Sequence, residues 1–154
     1  MPSPTSPQHA GHSFAQVLQG VARQAAAAGV FGSVEIEGAR LSAAAKAPAA
    51  PAWYRLAEDG GTVWVSLVTP DRWLSHSVEA DLLNTGDSLG ELIREELAEL
   101  GEEGAPVVCE HFRDQDRLFT FRTPVPARDE DTLWRYLRAY EECFRRLGDI
   151  DAAE

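Results

Sequence analysis

Three stretches of the chain carry apolar residues at the spacing of an amphipathic α-helix. In the last of them, DTLWRYLRAYEECFRRL, apolar side chains recur every three or four residues and therefore share one stripe along a helix. The stripe consists of Leu133, Leu137, Tyr140, Phe144 and Leu147. The other two stretches begin with capping-box pairs, Ser13 with Gln16 and Ser88 with Glu91. The predicted helices cover 13–29, 88–100 and 131–147.

One aromatic residue of the last predicted helix falls outside its apolar stripe. At about 100° per residue, Trp134 lies a quadrant away, on the side that carries Arg138. Two interpretations are open: the indole stacks over Arg138, or it belongs to an interface whose partner completes its burial. The helix is predicted to begin after Asp129 or Asp131, either of which can serve as its N-cap, and to end at Gly148.

The remaining patterned stretches alternate apolar and polar residues, the two-residue period of a β-strand. AWYRLAEDGGTVWVSLV contains two such runs around Asp59-Gly60-Gly61, a turn in which glycine reaches positive φ without strain. SVEIEGARL predicts a short strand before this pair. WLSHSVEADLL predicts a strand after it, so that the pair and this strand form a three-stranded antiparallel meander from Trp53 onward. PVVCEHF and LFTFRTPV predict a second hairpin. Residues 42–51, SAAAKAPAAP, predict an exposed loop because alanine and proline dominate them.

The order of these elements indicates the fold class. The predicted order is α-β-β-β-α-β-β-α. The number of strands between the first two helices is three or four. Segregated helices and antiparallel strands predict an α+β domain in which helices cover one face of an antiparallel sheet. Residues 1–11 are predicted to be a disordered tail, since they hold three prolines and no hydrophobic periodicity. Residues 12–150 are predicted to form a single domain.

The alternation also predicts which aromatic residues lie away from the helices. In TVWVSLV the aliphatic residues share one face, so Trp64 lies on the open face if the aliphatic face meets the helices. One of the neighbours Trp53 and Tyr54 lies there too. The structural alternative is that Trp64 packs under the segment 42–51. The partner-binding residues predicted from this pattern are Trp53, Trp64, Trp134 and Arg138.

The charge of the chain argues against two classes of partner. The formal net charge of −11 argues against binding to nucleic acid or to an anionic membrane surface. Seven acidic residues lie between Asn84 and Gly104 against Arg94 alone, either as a solvated helix face or as an acidic docking surface. The first residues lack the basic and apolar regions of a secretory signal, and no apolar run reaches the length of a membrane span. A cytoplasmic location is therefore predicted.

The candidate metal ligands are few. Cys109 and His111 are two apart on a predicted strand and share a face, and with Cys143 or His76 they could hold zinc. The sequence has no C-x-x-C pair. Both cysteines are therefore predicted to be small buried hydrophobic residues, neither metal ligands nor partners in a disulfide.

No catalytic or cofactor motif stands out. In Ser75-His76-Ser77 a strand would point His76 away from both serines, and the chain has no G-x-S-x-G elbow. Glu110 is the carboxylate whose neighbours could raise its pKa, although edge-strand solvation explains it equally well. Gly60-Gly61 is a hairpin turn rather than a phosphate-binding loop. We therefore expect a protein without enzymatic activity, cofactor or metal.

The arrangement resembles the type III secretion chaperone-like fold, which includes the class I effector chaperones and the YbjN family of bacterial proteins. The likeness covers roughly residues 12–150. The stretches VEADLLNTGDSLGELIREEL and FTFRTPVPARDEDTLWRYLRAYEECF are most similar to YbjN-type sequences. The resemblance implies a homodimer without catalytic residues that holds an extended protein segment along helix and sheet surfaces.

The leading expectation is therefore a non-enzymatic protein-binding module, chaperone-like or regulatory, that engages a partner protein through apolar sheet and helix surface. The alternative is a small-molecule-binding or hydrolytic enzyme with its site between sheet and helix, at His76 or Glu110. Self-association is expected because three amphipathic helices cannot all cover one face of a five-stranded sheet without leaving some apolar stripe partly bare, and a second copy could cover it. The acidic stretch of two copies would repel, so the homodimer is expected to tighten as salt rises to physiological strength.

Overall fold

The structure is a computed structural model, which describes residues 13–46, 51–72, 76, 89–102, 107–113 and 117–145. Three of its helices are those that the sequence predicts, with ends within two residues of the prediction. They are α1 (Phe14–Ala28), α2 (Leu89–Glu99) and α3 (Glu130–Arg145). The predicted tail, 1–11, lies outside the described residues.

Local capping explains where α1 begins and ends. The backbone N–H of Gln16 donates to Oγ of Ser13 (3.2 Å), and the backbone N–H of Ser13 donates to Oε1 of Gln16 (3.1 Å). This is the predicted capping box, which satisfies N–H groups that have no partner within the helix. Gly29 ends the helix in the left-handed conformation, at φ 71°.

The strands form one antiparallel sheet of six strands within the described residues, in the order β1-β2-β3-β4-β6-β5. They are β1 (Phe31–Glu37), β2 (Arg40–Ala45), β3 (Trp53–Asp59), β4 (Thr62–Thr69), β5 (Glu110–Arg113) and β6 (Phe119–Val125). The α+β class, the antiparallel sheet and its covering by helices are confirmed. Within the described residues four strands precede α2, and two of them, β1 and β2, lie where the sequence predicts one short strand followed by a loop.

The alanine-rich segment is partly a strand, so the prediction of an exposed loop over 42–51 is wrong for residues 42–45. The stretch SVEIEGARL contains a turn at Gly38 (φ 62°) and supplies β1 and the start of β2. Leu41, Ala43 and Ala45 are buried in the core that α1 shares. Burial against neighbouring elements outweighs the low intrinsic strand preference of alanine.

The predicted meander is wrong in its third strand. Most of WLSHSVEADLL lies outside the described residues, but Arg72 and His76 have helical backbone. The second edge of β4 is occupied by β6, with Leu67 opposite Phe121. Strand partners are chosen by tertiary packing, and adjacency in sequence favours a neighbour without requiring it.

Helices α1, α2 and α3 contribute to one core on a single face of the sheet. The predicted stripe of α3 is fully buried at Leu133, Leu137, Tyr140 and Phe144, while Leu147 lies outside the described residues. Burial extends beyond the stripe to Glu141, which is 3% exposed. The α3 helix contacts α1, α2 and the central strands, which makes it the central element of the helical layer.

Asp129 is the N-cap of α3. Its Oδ2 accepts hydrogen bonds from the backbone N–H (2.9 Å) and the hydroxyl (2.9 Å) of Thr132. Partial desolvation raises the pKa of Asp129, but the hydrogen bonds from Thr132 outweigh it, and the pKa lies below its usual range. Of the two predicted caps, the structure selects Asp129 over Asp131.

Replacing Asp129 with alanine is expected to lower the free energy of unfolding by about 1 kcal/mol at neutral pH. A carboxyl whose pKa is depressed in the folded state stabilises above its unfolded pKa and loses that effect as pH falls through the folded value. The wild-type advantage should therefore shrink in acid. Urea unfolding of both proteins along a pH series measures it. An advantage that stays constant into strong acid would contradict the assignment, and Asp131→Ala is the control, expected to change little.

Candidate functional site

The face of the sheet opposite the helices carries large and charged side chains in rows across the strands. The register places Trp53 opposite Val68, which faces Thr120, and Thr120 faces Phe112 at the β5 edge. A second row runs Ser42, Arg55, Ser66, Arg122, Glu110. A third runs Arg40, Ala57, Trp64, Pro124. Aromatic rings and guanidinium groups thus alternate over this open face.

Four of these side chains, Trp64, Glu110, Phe112 and Arg122, form a connected group with Asp59 at the end of β3. We call these five residues the Trp64–Arg122 cluster. The guanidinium carbon of Arg122 lies 3.7 Å from the centroid of the Trp64 ring and 5.0 Å from that of Phe112. Its Nε donates to Glu110 (2.9 Å) and its Nη1 to Asp59 (3.1 Å). The indole N–H of Trp64 donates to the backbone carbonyl of Asp59 (3.3 Å).

Strand pairing explains how the sequence builds the cluster. Arg122 lies opposite Ser66 on one side and Glu110 on the other. Opposite charges facing each other across strands stabilise a sheet, which accounts for the pair with Glu110. Ser66 is small, so the long arginine side chain can lie diagonally over Trp64, two residues along the same strand.

The charge of Arg122 is firmly held. Partial burial lowers its pKa, but the hydrogen bonds from its guanidinium to Glu110 and Asp59 outweigh that effect, and the pKa is raised above its usual value. Stacking on a tryptophan face adds a cation–π attraction. The guanidinium is therefore a permanently charged group with a fixed plane.

Four members of the cluster, all except Glu110, line an open depression of about 610 Å³ on the sheet face. The charged residues that line it are Arg40, Arg55, Arg113 and Arg122, with Asp59 as the one acid among the lining residues the structure describes. A cationic lining contrasts with the net charge of −11 for the chain. This local potential favours an anionic group over a cationic one.

Two of the four predicted partner-binding residues lie on this face. Trp53 and Trp64 are both half-buried there, whereas Tyr54 is buried on the covered face, as alternation requires. The Trp64 ring is covered by Arg122, a contact that the sequence did not indicate. Their role in binding a partner stays a prediction.

The other two predicted residues lie in the helical layer and not on the open face. Trp134 is partly buried against the core. The Arg138 guanidinium pairs with Glu142 (2.9 Å) and approaches Glu141 (3.7 Å). The side of α3 that carries Trp134 is therefore partly covered, and one surface cannot include all four residues.

The cysteines flank a buried polar group on the covered face. The hydroxyls of Tyr140 and Thr123 are 2.7 Å apart, and Sγ of Cys109 lies 3.6 Å from the Tyr140 oxygen. Burial raises the pKa of the Cys109 thiol, and the hydrogen bonds from Tyr140 and Thr123 lower it only in part. A protonated thiol is a poor nucleophile, so this group does not favour the enzymatic alternative.

The candidate metal ligands Cys109, Cys143 and His111 each have other contacts in the structure. Cys109 directly precedes β5 and is half-buried, and Cys143 is buried; no disulfide joins them. The His111 ring stacks on Phe121, with centroids 3.9 Å apart and planes 9° from parallel. Within the described ranges, no three His, Cys, Asp or Glu side chains lie together as a metal site would require. That the cysteines are neither ligands nor bridged in the cell stays a prediction.

The candidate catalytic residues take different places. Glu110 lies on the open face, bound to Arg122, and His76 is exposed. Ser75 and Ser77 lie outside the described residues. Sequence reasoning missed Arg122 and Phe112 as members of a site, because their alternation pointed to a face but not to the pairing of β4 with β6.

Compared with known proteins, the chain matches no family model, and no curated protein and no solved structure matches it significantly. The helices within the described ranges are all too short or too polar to cross a bilayer. The resemblance to the YbjN and secretion-chaperone families stays a hypothesis that the order and polarity of the elements carry.

Proposed function

We propose that this chain is a non-enzymatic protein-binding module that engages a segment of a partner protein through the open face of its sheet. The observation that carries the proposal is the one-sided covering of the sheet. In the part of the chain that the structure describes, α1, α2 and α3 lie over one face, while the other presents Trp53, Trp64 and Phe112 among arginines. Tryptophan and arginine are the residue types most enriched at the energetic centres of protein interfaces.

The open face has the anatomy of an interface centre. Phe112 is 36% exposed, and the indoles of Trp53 and Trp64 keep part of their surface in water. A partner that covers them would remove this apolar area from water at about 25 cal/mol per Å². The arginines around them supply directional hydrogen bonds to a partner backbone or side chain.

The predicted resemblance to secretion chaperones points to the same function, since such domains hold extended protein segments. We propose a cytoplasmic site of action, because cysteines that form no disulfide, such as Cys109 and Cys143, stay reduced in that compartment. The identity of the partner follows from experiment.

Site-specific photo-cross-linking tests the proposal. A photoreactive amino acid at Ala57 or Ser66, both on the open face, is expected to cross-link to a partner protein in cells of the native host. The same amino acid at Arg23, an exposed residue of α1, serves as the control. Trp64→Ala should abolish the cross-link at Ala57, because it removes the central ring.

Cross-links at Arg23 that equal those at Ala57, or cross-links that survive Trp64→Ala, would contradict the assignment of this face. Cross-linked species that contain two copies of this chain would assign the face to self-association instead. Circular dichroism of Trp64→Ala establishes that the variant remains folded.

Self-association is a second part of the proposal. Glu95 and Glu99 are exposed on α2, and two copies brought together along this helix would repel each other. Salt screens such repulsion, with a Debye length of about 8 Å at physiological ionic strength. The dissociation constant of a homodimer is therefore expected to fall from low to physiological salt. Sedimentation velocity over a salt series measures it, and a monomer at every concentration and salt would refute it.

A further inference from the structure

Arginines and acids on the open face differ in depth. Arg122 has 23% of its side chain exposed, against 72% for Asp59 and 45% for Glu110, the two carboxylates that hold it. Arg40 and its partner Glu37 show the same ordering, at 39% and 61%. In each pair the guanidinium is therefore less exposed to solvent than the carboxylate. Asp59 lies in the lining of the depression, and Glu37 and Glu110 lie outside it.

We propose that this depression recognises carboxylate side chains of an acidic, extended segment of the partner protein. The inference rests on the proposed function and adds the chemistry of the segment. Carboxylates of the segment bind the guanidinium of Arg122 and its neighbours, and apolar residues between them contact Trp64 and Phe112. Asp59 and Glu110 hold Arg122 in place when no partner is bound, and turn out to solvent when it binds.

The geometry of Arg122 suits this exchange. A guanidinium offers five N–H donors in one plane, a match for the two oxygens of a carboxylate. Arg122 uses Nε and Nη1 for Glu110 and Asp59, and within the described residues its Nη2 makes no hydrogen bond. Stacking on Trp64 holds the plane in one orientation, so little side-chain entropy is lost when a ligand binds.

Because Asp59 and Glu110 are exposed, exchanging them for other carboxylates on Arg122 costs little free energy. An ion pair in contact with solvent contributes little net stability, because water solvates the separated carboxylate nearly as well. Asp59 and Glu110 can therefore yield Arg122 to carboxylates of a partner that also buries the aromatic rings. Single-stranded nucleic acid stacks on such rings too, but the chain's charge of −11 opposes a polyanion.

Fluorescence anisotropy with defined peptides tests the proposal. The probe is a short labelled peptide in which glutamate alternates with leucine, compared with peptides carrying glutamine or lysine in place of glutamate and with a labelled single-stranded oligonucleotide. The full chain is expected to bind the glutamate peptide about tenfold more tightly than the glutamine peptide, and the lysine peptide least. Arg122→Gln should remove this preference.

Matched variants separate recognition from folding. Arg128 also pairs with a carboxylate, that of Glu58, and lies over an aromatic ring, with 5.6 Å to the Phe14 centroid, yet it is absent from the lining of the depression. Arg128→Gln should leave peptide binding unchanged. Asp59→Asn and Glu110→Gln should each tighten binding of the glutamate peptide about threefold, since a competitor for Arg122 is removed.

The outcomes are distinct. Equal binding of glutamate and glutamine peptides, both lost in Trp64→Ala, would refute carboxylate recognition and leave the protein-binding face standing. Weaker binding after Asp59→Asn and Glu110→Gln would refute the exchange of carboxylates. Absence of glutamate-peptide binding, or tighter binding of the oligonucleotide, would overturn the inference. The proposed function is tested separately, by the cross-linking at Ala57 and its controls.

Discussion

Replacing Phe144 with alanine is expected to lower the free energy of unfolding by about 3–5 kcal/mol, the range for a large aromatic residue removed from a close-packed core. Phe144 is fully buried on α3. Its ring centroid lies 5.1 Å from that of Tyr140 and 5.3 Å from that of Phe121, so it joins the central helix to β6. The substitution removes these ring contacts and leaves a cavity that the surrounding sheet cannot fill by small movements.

Urea unfolding followed by far-ultraviolet circular dichroism measures the change. Phe112→Ala is the matched control, because it deletes the same side chain from the open face, where the residue is 36% exposed. We expect its cost to stay below about 1 kcal/mol, since little buried area is lost. Equal losses for the two variants would mean that the open face is covered in the isolated protein, which would contradict the described arrangement.

Replacing Tyr140 with phenylalanine is expected to cost about 1–3 kcal/mol, although only one oxygen atom is removed. The Tyr140 hydroxyl is buried, at 2.7 Å from the hydroxyl of Thr123 and 3.6 Å from Sγ of Cys109. Burial raises the pKa of Tyr140 well above its usual value, so the group remains a neutral hydroxyl that can donate and accept. Its loss leaves the Thr123 hydroxyl buried without this partner.

Tyr136 provides the control for this measurement, since it lies four residues earlier on the same helix. Within the described residues no hydrogen bond of its hydroxyl is found, and we expect Tyr136→Phe to change stability by less than about 0.5 kcal/mol. A double-mutant cycle with Thr123→Val should show that the effects of Tyr140→Phe and Thr123→Val are not additive. Additive losses would show that the two hydroxyls do not stabilise each other.

The local features of the chain could be predicted from the sequence because short-range physics decides them. The α3 stripe from Leu133 to Phe144, the capping box at Ser13 and the turn at Gly60-Gly61 each depend on a few neighbouring residues. The same holds for the faces of β3 and β4. Alternation alone placed Trp64 opposite the core and required that either Trp53 or Tyr54 join it.

Tertiary structure decided the features that depend on residues far apart in sequence. The pairing of β4 with β6 joins residues 50 to 62 positions apart, from Thr69 with Phe119 to Val63 with Val125. Only that pairing lays Arg122 over Trp64 and brings Glu110 beside it. The alanines of β2 became a strand because α1 and β3 bury them, which overrides a weak local preference. Trp134 was separated from the open face because α3 packs at the centre of the helical layer, on the far side of the sheet. A period of two or of 3.6 residues identifies a face, but it does not say which distant element that face meets.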